Sequence, residues 1–94
     1  MTTVGMDSII VRKENHLETP LDDEVILMHA ESGEIYGLAD TARDIWVALR
    51  EPISFGALLD RLVEAFDVTR EVCGAEVGDF LARLERAGMI EIRP

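Results

Sequence analysis

Basic residues are scarce in this 94-residue chain, in which nine lysines and arginines stand against nineteen aspartates and glutamates. The formal net charge is therefore −10. DNA and RNA backbones are bound by clusters of cations, so this charge disfavours a nucleic-acid partner. It disfavours an anionic membrane surface for the same reason. The composition thus disfavours two large classes of binding protein before any motif is considered.

Cysteine and long apolar runs are limited as well. The one cysteine, Cys73, excludes an internal disulfide and a cysteine-rich zinc module, and it fits a reducing compartment. The chain has no stretch of about 18 apolar residues that could span a bilayer. Its first residues lack the basic and apolar regions of a secretion signal. We therefore expect a soluble, cytoplasmic protein.

Side chains that carry catalysis are few and poorly spaced. His16, His29 and Cys73 do not fall at the spacing of metal ligands, and no glycine-rich loop is present to hold a phosphate. No nucleophile–histidine arrangement matches a known motif. The sequence therefore predicts a protein that is not an enzyme, with no catalytic residue, no metal and no cofactor.

The sequence does contain enough apolar residues, 48% of the total, for one modest core. Residues 1–8 carry little pattern, so we predict a flexible N-terminus followed by a single domain over residues 9–94. A short β-branched run at 9–11 predicts a strand that continues into 16–18, and Pro20 with the two aspartates after it predicts a turn. Two strands follow, at 24–30 and 34–38, joined by a turn at Gly33.

Three amphipathic helices follow the strands. Asp40, Ser54 and Thr69 are the predicted N-caps, and Gly88 is the predicted C-terminal stop of the third helix. In the first helix, Trp46 is spaced to lie in the core. A short strand at 89–92 closes the chain. The order of elements predicts an α+β domain of winged helix-turn-helix type, in which a three-stranded antiparallel sheet is followed by three helices.

The predicted strand at 34–38 has the features of an open sheet edge. Natural proteins usually protect such edges with lysine, proline or a covering segment, and this strand contains neither lysine nor proline. An open edge can bind an extended peptide as an added strand. On pattern alone, a second interpretation is equally good, in which the chain's own N-terminus covers the edge.

The order and spacing of these segments resemble the PqqD-like family, also called RiPP recognition elements. The resemblance covers about residues 22–91 and includes an apolar strand, an acidic Ser-Gly turn and a Tyr-Gly-Leu strand. It continues with an Ile-Trp helix, a Leu-Leu-x-x-Leu helix, a Phe-Asp-Val link and a Val-x-x-Phe-Leu-x-x-Leu helix ending in Ala-Gly-Met. The resemblance implies a winged helix-turn-helix that binds the leader segment of a ribosomally synthesised precursor peptide and presents it to a processing enzyme.

The resemblance also implies where the leader binds. The leader would add as a strand to the edge strand and pack against the third helix. The edge residues would be Glu34, Ile35, Tyr36, Gly37 and Leu38. The helix residues would be Cys73, Glu76, Val77, Phe80, Arg83 and Leu84.

Several alternatives stay open at this point. A stand-alone domain of this size looks most like the leader-binding protein of lasso-peptide clusters, whose partner is a transglutaminase-like leader peptidase. The alternative branch is the pyrroloquinoline quinone chaperone that serves a radical SAM enzyme, although the Leu-Leu-x-Pro-Glu run of that branch is missing here. A winged-helix DNA regulator is disfavoured because the third helix is net acidic. Both a monomer and an edge-paired dimer fit the pattern.

Overall fold

Six strands and three helices make up the fold in a computed structural model, which describes residues 4–94. The strands are β1 Ile9–Arg12, β2 His16–Leu21, β3 Glu24–His29, β4 Ile35–Leu38, β5 Ile53–Ser54 and β6 Ile90–Arg93. The helices are α1 Asp40–Ala48, α2 Phe55–Ala65 and α3 Arg70–Arg86. Within the described residues, no helix has both the length and the apolar composition needed to cross a membrane.

The strands form two antiparallel sheets, one in the order β5-β1-β6 and the other in the order β2-β3-β4. The predicted α+β class is confirmed, and a three-stranded antiparallel sheet, β2-β3-β4, does precede the helices. The prediction missed the second sheet, to which β1 belongs. Residues 16–18 do not continue β1, because the chain leaves the first sheet after Arg12 and enters the second at His16. Hydrogen bonds from Lys13 N–H to the Met89 carbonyl and from Ala30 N–H to the Asn15 carbonyl hold the crossing segment.

Pro20 lies inside β2, so its predicted place in a turn is wrong. The turn is made by the aspartates alone, and Asp22 adopts a positive φ of 55°. Pro20 stands opposite Val25 in the β2–β3 pairing. Hydrogen-bonded and non-bonded pairs alternate in an antiparallel ladder, and Pro20 and Val25 form a non-bonded pair because Val25 directs its backbone groups to β4. The strand therefore tolerates a residue without an N–H at this position.

Two of the three predicted helix caps are confirmed. The Ser54 hydroxyl accepts a hydrogen bond from Ala57 N–H, and the Thr69 hydroxyl accepts one from Val72 N–H. Asp40 is not the cap of α1, since it is the first helical residue and its preceding neighbour occupies the cap position without a side-chain bond. Gly88 follows the end of α3 with a φ of 76°, as expected of a glycine stop.

The core lies between the helices and the inner faces of both sheets. Trp46 is completely buried, which confirms its predicted place. Of the predicted flexible segment, residues 1–3 lie outside the described residues. Residues 4–8 bind the start of α2, because the Met6 carbonyl accepts from Gly56 N–H and the Ser8 carbonyl from Phe55 N–H. The largest side chains buried with Trp46 are Ile10, Leu27, Leu49, Leu58, Leu59, Leu81, Met89 and Ile90.

Candidate functional site

Strand β4 is an edge of the second sheet. Among residues 4–94 it pairs only with β3, and the N-terminal segment that could have covered it lies in and beside the other sheet. The register sets Leu38 opposite Val25 and Tyr36 opposite Leu27. The interpretation with an open edge is therefore the one that the described part of the chain supports.

The direction of the backbone groups along β4 follows from one hydrogen bond. His29 N–H donates to the Glu34 carbonyl at the start of the β3–β4 pairing, which makes that pair a hydrogen-bonded one. Since bonded and non-bonded pairs alternate, Tyr36 and Leu38 direct their N–H and C=O groups to β3. Ile35 and Gly37 therefore direct theirs outward, away from the sheet. These outward groups can bind an added strand.

Side chains alternate along the same strand. Tyr36 is half-buried and Leu38 is buried, so both face the core, whereas Ile35 is 67% exposed on the opposite face. The Tyr36 hydroxyl donates to a Glu34 carboxylate oxygen at 2.6 Å. This hydrogen bond raises the pKa of Tyr36 above its ordinary value, with smaller contributions from partial desolvation and from the carboxylate charge.

An apolar cleft of about 270 Å³ opens between the three helices. Helix α1 provides one wall, the end of α2 and the link after it provide the second, and α3 provides the third. One wall of the cleft starts close to the end of β4, because only Ala39 and Asp40 separate this strand from Thr41. The lining residues are Thr41, Ala42, Ile45, Leu62, Phe66, Val68, Cys73, Glu76, Val77 and Phe80.

Cys73 lines the cleft as a buried side chain. Burial raises the pKa of the Cys73 thiol, the nearby Glu76 carboxylate raises it further, and Arg70 acts in the opposite direction. A thiol with a raised pKa stays protonated at neutral pH and is a poor nucleophile. The side chain is therefore suited to packing against an apolar group.

The structure brings together most of the residues that the sequence predicts for the site, but not all. Cys73, Glu76, Val77 and Phe80 line the cleft together. The remaining two helix residues do not line it: Arg83 is exposed, and Leu84 is buried in the core.

The sequence analysis missed the walls of the cleft that come from α1 and from the α2–α3 link. Phe66 is half-buried and Val68 is exposed, and both line the cleft although they lie between two helices. Apolar residues on both sides of Asp67 in a short link were the available signal, because links between helices are usually polar. No such signal exists for the α1 residues, whose spacing only indicates a buried face.

Three comparisons with known proteins bear on this site. The family model described as coenzyme PQQ synthesis protein D (PqqD) matches residues 24–90, which include β4 and all three helices. The solved structure of TbiB1 in complex with the TbiA(beta) leader peptide is similar, with a TM-score of 0.81 and 26% identity. That similarity covers 86% of this chain and 94% of TbiB1. No curated protein sequence gave a significant match.

Proposed function

We propose, since the chain belongs to the PqqD family, that it is a non-catalytic adaptor for a ribosomally synthesised precursor peptide. The leader segment of the precursor adds to β4 as a strand, and the adaptor presents the precursor to a processing enzyme. The observation that carries the proposal is the outward direction of the backbone groups of Ile35 and Gly37, next to an apolar cleft. Main-chain hydrogen bonds supply affinity in this mode of binding, and side-chain pockets supply specificity.

The similarity to TbiB1 supports the same proposal, because that protein was solved with a leader peptide bound. The proposed contacts of the leader are Glu34 to Leu38 along the edge and Cys73, Glu76, Val77 and Phe80 in the cleft. Arg83 and Leu84 remain part of the proposed helix surface. Because Arg83 is exposed beyond the cleft, it would meet only a leader that extends past it, and Arg83→Glu would then weaken binding in a salt-dependent way.

The finer parts of the proposal follow the family resemblance. They are a winged helix-turn-helix arrangement within a peptide-binding domain of residues 9–94, a place in the cytoplasm, and a lasso-type transglutaminase-like leader peptidase as the enzyme partner. The alternative enzyme is a radical SAM enzyme of pyrroloquinoline quinone biosynthesis, which the PqqD family model favours. Purified enzymes of both classes, tested for binding to the leader-loaded protein, would separate the two branches.

The experiment that tests strand addition is a pair of substitutions at Gly37. Gly37→Pro removes an outward N–H and should leave the β3–β4 ladder intact. The lost bond and the altered strand should weaken leader binding by about 10- to 100-fold, equivalent to about 1.4–2.8 kcal/mol. Gly37→Ala keeps the N–H, and its Cβ would meet the Ile26 Cδ1 atom at an ordinary 3.7 Å, so binding should change little.

The measurement is fluorescence polarisation of a labelled synthetic peptide with the leader sequence of the precursor. Urea denaturation of both variants controls for folding. If folded Gly37→Pro bound the leader as tightly as Gly37→Ala, strand addition at β4 would be wrong.

A further inference from the structure

Strand β6 is an open edge of the other sheet, β5-β1-β6. Among residues 4–94 it pairs only with β1. Lys13 N–H donates to the Met89 carbonyl at the end of the β1–β6 pairing, so that pair is hydrogen-bonded. Bonded and non-bonded pairs then alternate, and Ile90 and Ile92 fall in the non-bonded pairs with β1. Their N–H and C=O groups therefore point outward, away from the sheet.

A hydrogen bond on the other side of β1 supports the same assignment. Phe55 N–H donates to the Ser8 carbonyl, which makes these two residues a bonded pair. By alternation, Ile10 directs its backbone groups to β5, so it leaves its β6 neighbour, Ile92, without a bond. Within the described part of the chain, no backbone hydrogen bond outside the ladders uses Ile90 or Ile92. The outward groups of β6 are thus available to another strand.

The exposed side chains of β6 carry opposite charges. Glu91 and Arg93 form an ion pair at 3.3 Å, with 51% and 60% of their side chains exposed. Ile90 and Ile92 are buried on the opposite face of the strand. The solvent face of β6 therefore bears one negative and one positive group two residues apart. Such a strand is complementary in charge to an antiparallel copy of itself.

The register that matches these charges is centred on Ile92. Outward backbone groups must meet outward groups, so Ile92 lies opposite either Ile92 or Ile90 of a second copy. The first register sets Glu91 opposite Arg93 of the second copy, twice in the pair. The second register sets two glutamates at position 91 against each other. Opposite charges directly across an antiparallel pair stabilise it and like charges destabilise it, so the first register is favoured.

Helix α3 leaves room beside this edge. A cavity of about 290 Å³ is lined by Ile92 and by the flank of α3 that contains Gly78. No atom lies within 4 Å of the position that a Cβ would take at Gly78, so packing within this chain does not require a glycine there. Small side chains permit a short distance between the axes of two helices. Asp79 and Glu85 also line the cavity, and their approach to a second copy weakens the association.

We propose that two copies of the chain associate through β6, as a two-fold pair centred on Ile92. The two three-stranded sheets then join as one six-stranded antiparallel sheet. Strand β4 lies in the other sheet, so the proposed leader site stays free in both copies. The inference goes beyond the proposed function and does not depend on it. Because each copy has a net charge of −10, we expect a weak dimer, with a dissociation constant on the order of 0.1 mM.

The test exchanges the charges on the solvent face of β6. Glu91→Arg sets arginine against arginine at both ends of the pair and should weaken association by about tenfold. The charge swap Glu91→Arg/Arg93→Glu restores opposite charges and should return the dissociation constant to within about threefold of the wild-type value. The matched control is Glu64→Arg, at an exposed site on α2. It changes the net charge by the same amount but should not weaken association, because it reduces the repulsion between copies.

Sedimentation equilibrium of the full chain up to about 1 mM measures association, in about 0.15 M salt so that charges beyond roughly 8 Å are screened. Amide hydrogen exchange of the wild-type chain locates the interface. Exchange at Ile92 should slow as the chain concentration rises, because its N–H bonds across the pair, whereas exchange at Gly37 on β4 should not change.

Three outcomes would overturn the inference: a wild-type chain that stays monomeric at about 1 mM, a charge swap that fails to restore association, or protection that rises at Gly37 instead of Ile92. Leader affinity, measured on the same samples, tests the proposed function separately. It should differ by less than about twofold between Glu91→Arg and the wild type, because β6 and β4 belong to different sheets.

Discussion

The two edges of the sheet β2-β3-β4 differ in what they offer to another strand. At the β4 edge, Ile35 and Gly37 direct free backbone groups outward. At the β2 edge, the bond from Ala30 N–H to the Asn15 carbonyl sets the alternation, so His16, Glu18 and Pro20 hold the outward positions. Pro20 has no N–H to donate. One edge of the sheet is therefore blunted, and the other is open to an added strand.

Side-chain contacts reinforce the difference between the edges. The Glu18 carboxylate on β2 accepts hydrogen bonds from the Trp46 indole N–H and from Arg12. The Arg12 guanidinium lies 3.9 Å from the centre of the Trp46 ring, and burial lowers its pKa. His16 contacts the same ring edge-on. Side-chain contacts thus hold strand β2 against helix α1, whereas within residues 4–94 no side-chain hydrogen bond joins Ile35 or Gly37 of β4 to a helix.

The largest effect is expected when the side-chain contacts between β2 and α1 are lost. Trp46→Ala removes a fully buried side chain that also binds Glu18, and it should lower the free energy of unfolding by about 3–5 kcal/mol. Trp46→Phe keeps much of the ring but loses the indole donor, and should cost less. Urea denaturation followed by circular dichroism measures both. A smaller loss for Trp46→Ala than for Trp46→Phe would contradict the packing described above.

Proline substitutions at two neighbouring positions of β4 test which of its backbone groups point to β3 and which point outward. Tyr36→Pro removes a donor that bonds to β3 and leaves the Leu27 carbonyl unpaired, which should destabilise the fold by about 1–3 kcal/mol. Gly37→Pro should destabilise the fold less than Tyr36→Pro does, and it should weaken leader binding more. The two variants are compared by urea denaturation. Equal destabilisation by both substitutions would show that the assignment of inward and outward groups is wrong.

The blunted edge can be opened by Pro20→Thr, which restores an outward N–H on β2. We expect the free energy of unfolding to change by no more than about 0.5 kcal/mol, since the site is exposed and its backbone N position points away from β3. The pocket beside the start of β2 at His16 is lined in part by charged residues, Arg12, Lys13, Glu14 and Arg50, so it is a poor site for apolar leader side chains. Leader affinity and stoichiometry should therefore both stay as in the wild type. Isothermal titration calorimetry measures them, and a second bound leader would mean that backbone donors alone define the site.

The smallest effect is the titration of Tyr36, the one tyrosine of the chain. The neutral phenol donates to Glu34, so its pKa is raised, and the ultraviolet titration midpoint should lie above that of the unfolded chain. Any stabilisation from this hydrogen bond is fully present below the pKa of Tyr36 in the unfolded chain. It is lost as the pH rises through the pKa of Tyr36 in the folded protein. Glu34→Gln should lower the midpoint. A midpoint that stays unchanged in this variant would remove Glu34 as the cause.

The helices were the most predictable part of the fold. Ser54 and Thr69 act through bonds to residues three positions away, so a cap can be recognised from local sequence. The strands before them were harder, because residues 9–11 and 16–18 carry similar patterns yet belong to different sheets. Nothing in either segment specifies its partners, which for β1 are the distant strands β5 and β6.

The residues of the candidate site also differ in how well the sequence could predict them. The edge strand at residues 34–38 could be predicted from residue types, although these did not decide whether the edge is open or covered, and the α3 wall of the cleft followed from the family resemblance. The other walls, from α1 and the α2–α3 link, could not, since residues far apart in the chain meet there only after the helices pack.

The amino-acid sequence by itself determined the acidic charge, the helical segments with their caps, and an edge strand without lysine or proline. Only the tertiary structure decided which edge of the sheet stays open and which groups on it point outward. The physical reason is that charge, capping and alternation depend on neighbours a few residues away. Pairing and burial depend on segments that the chain brings together from its two ends.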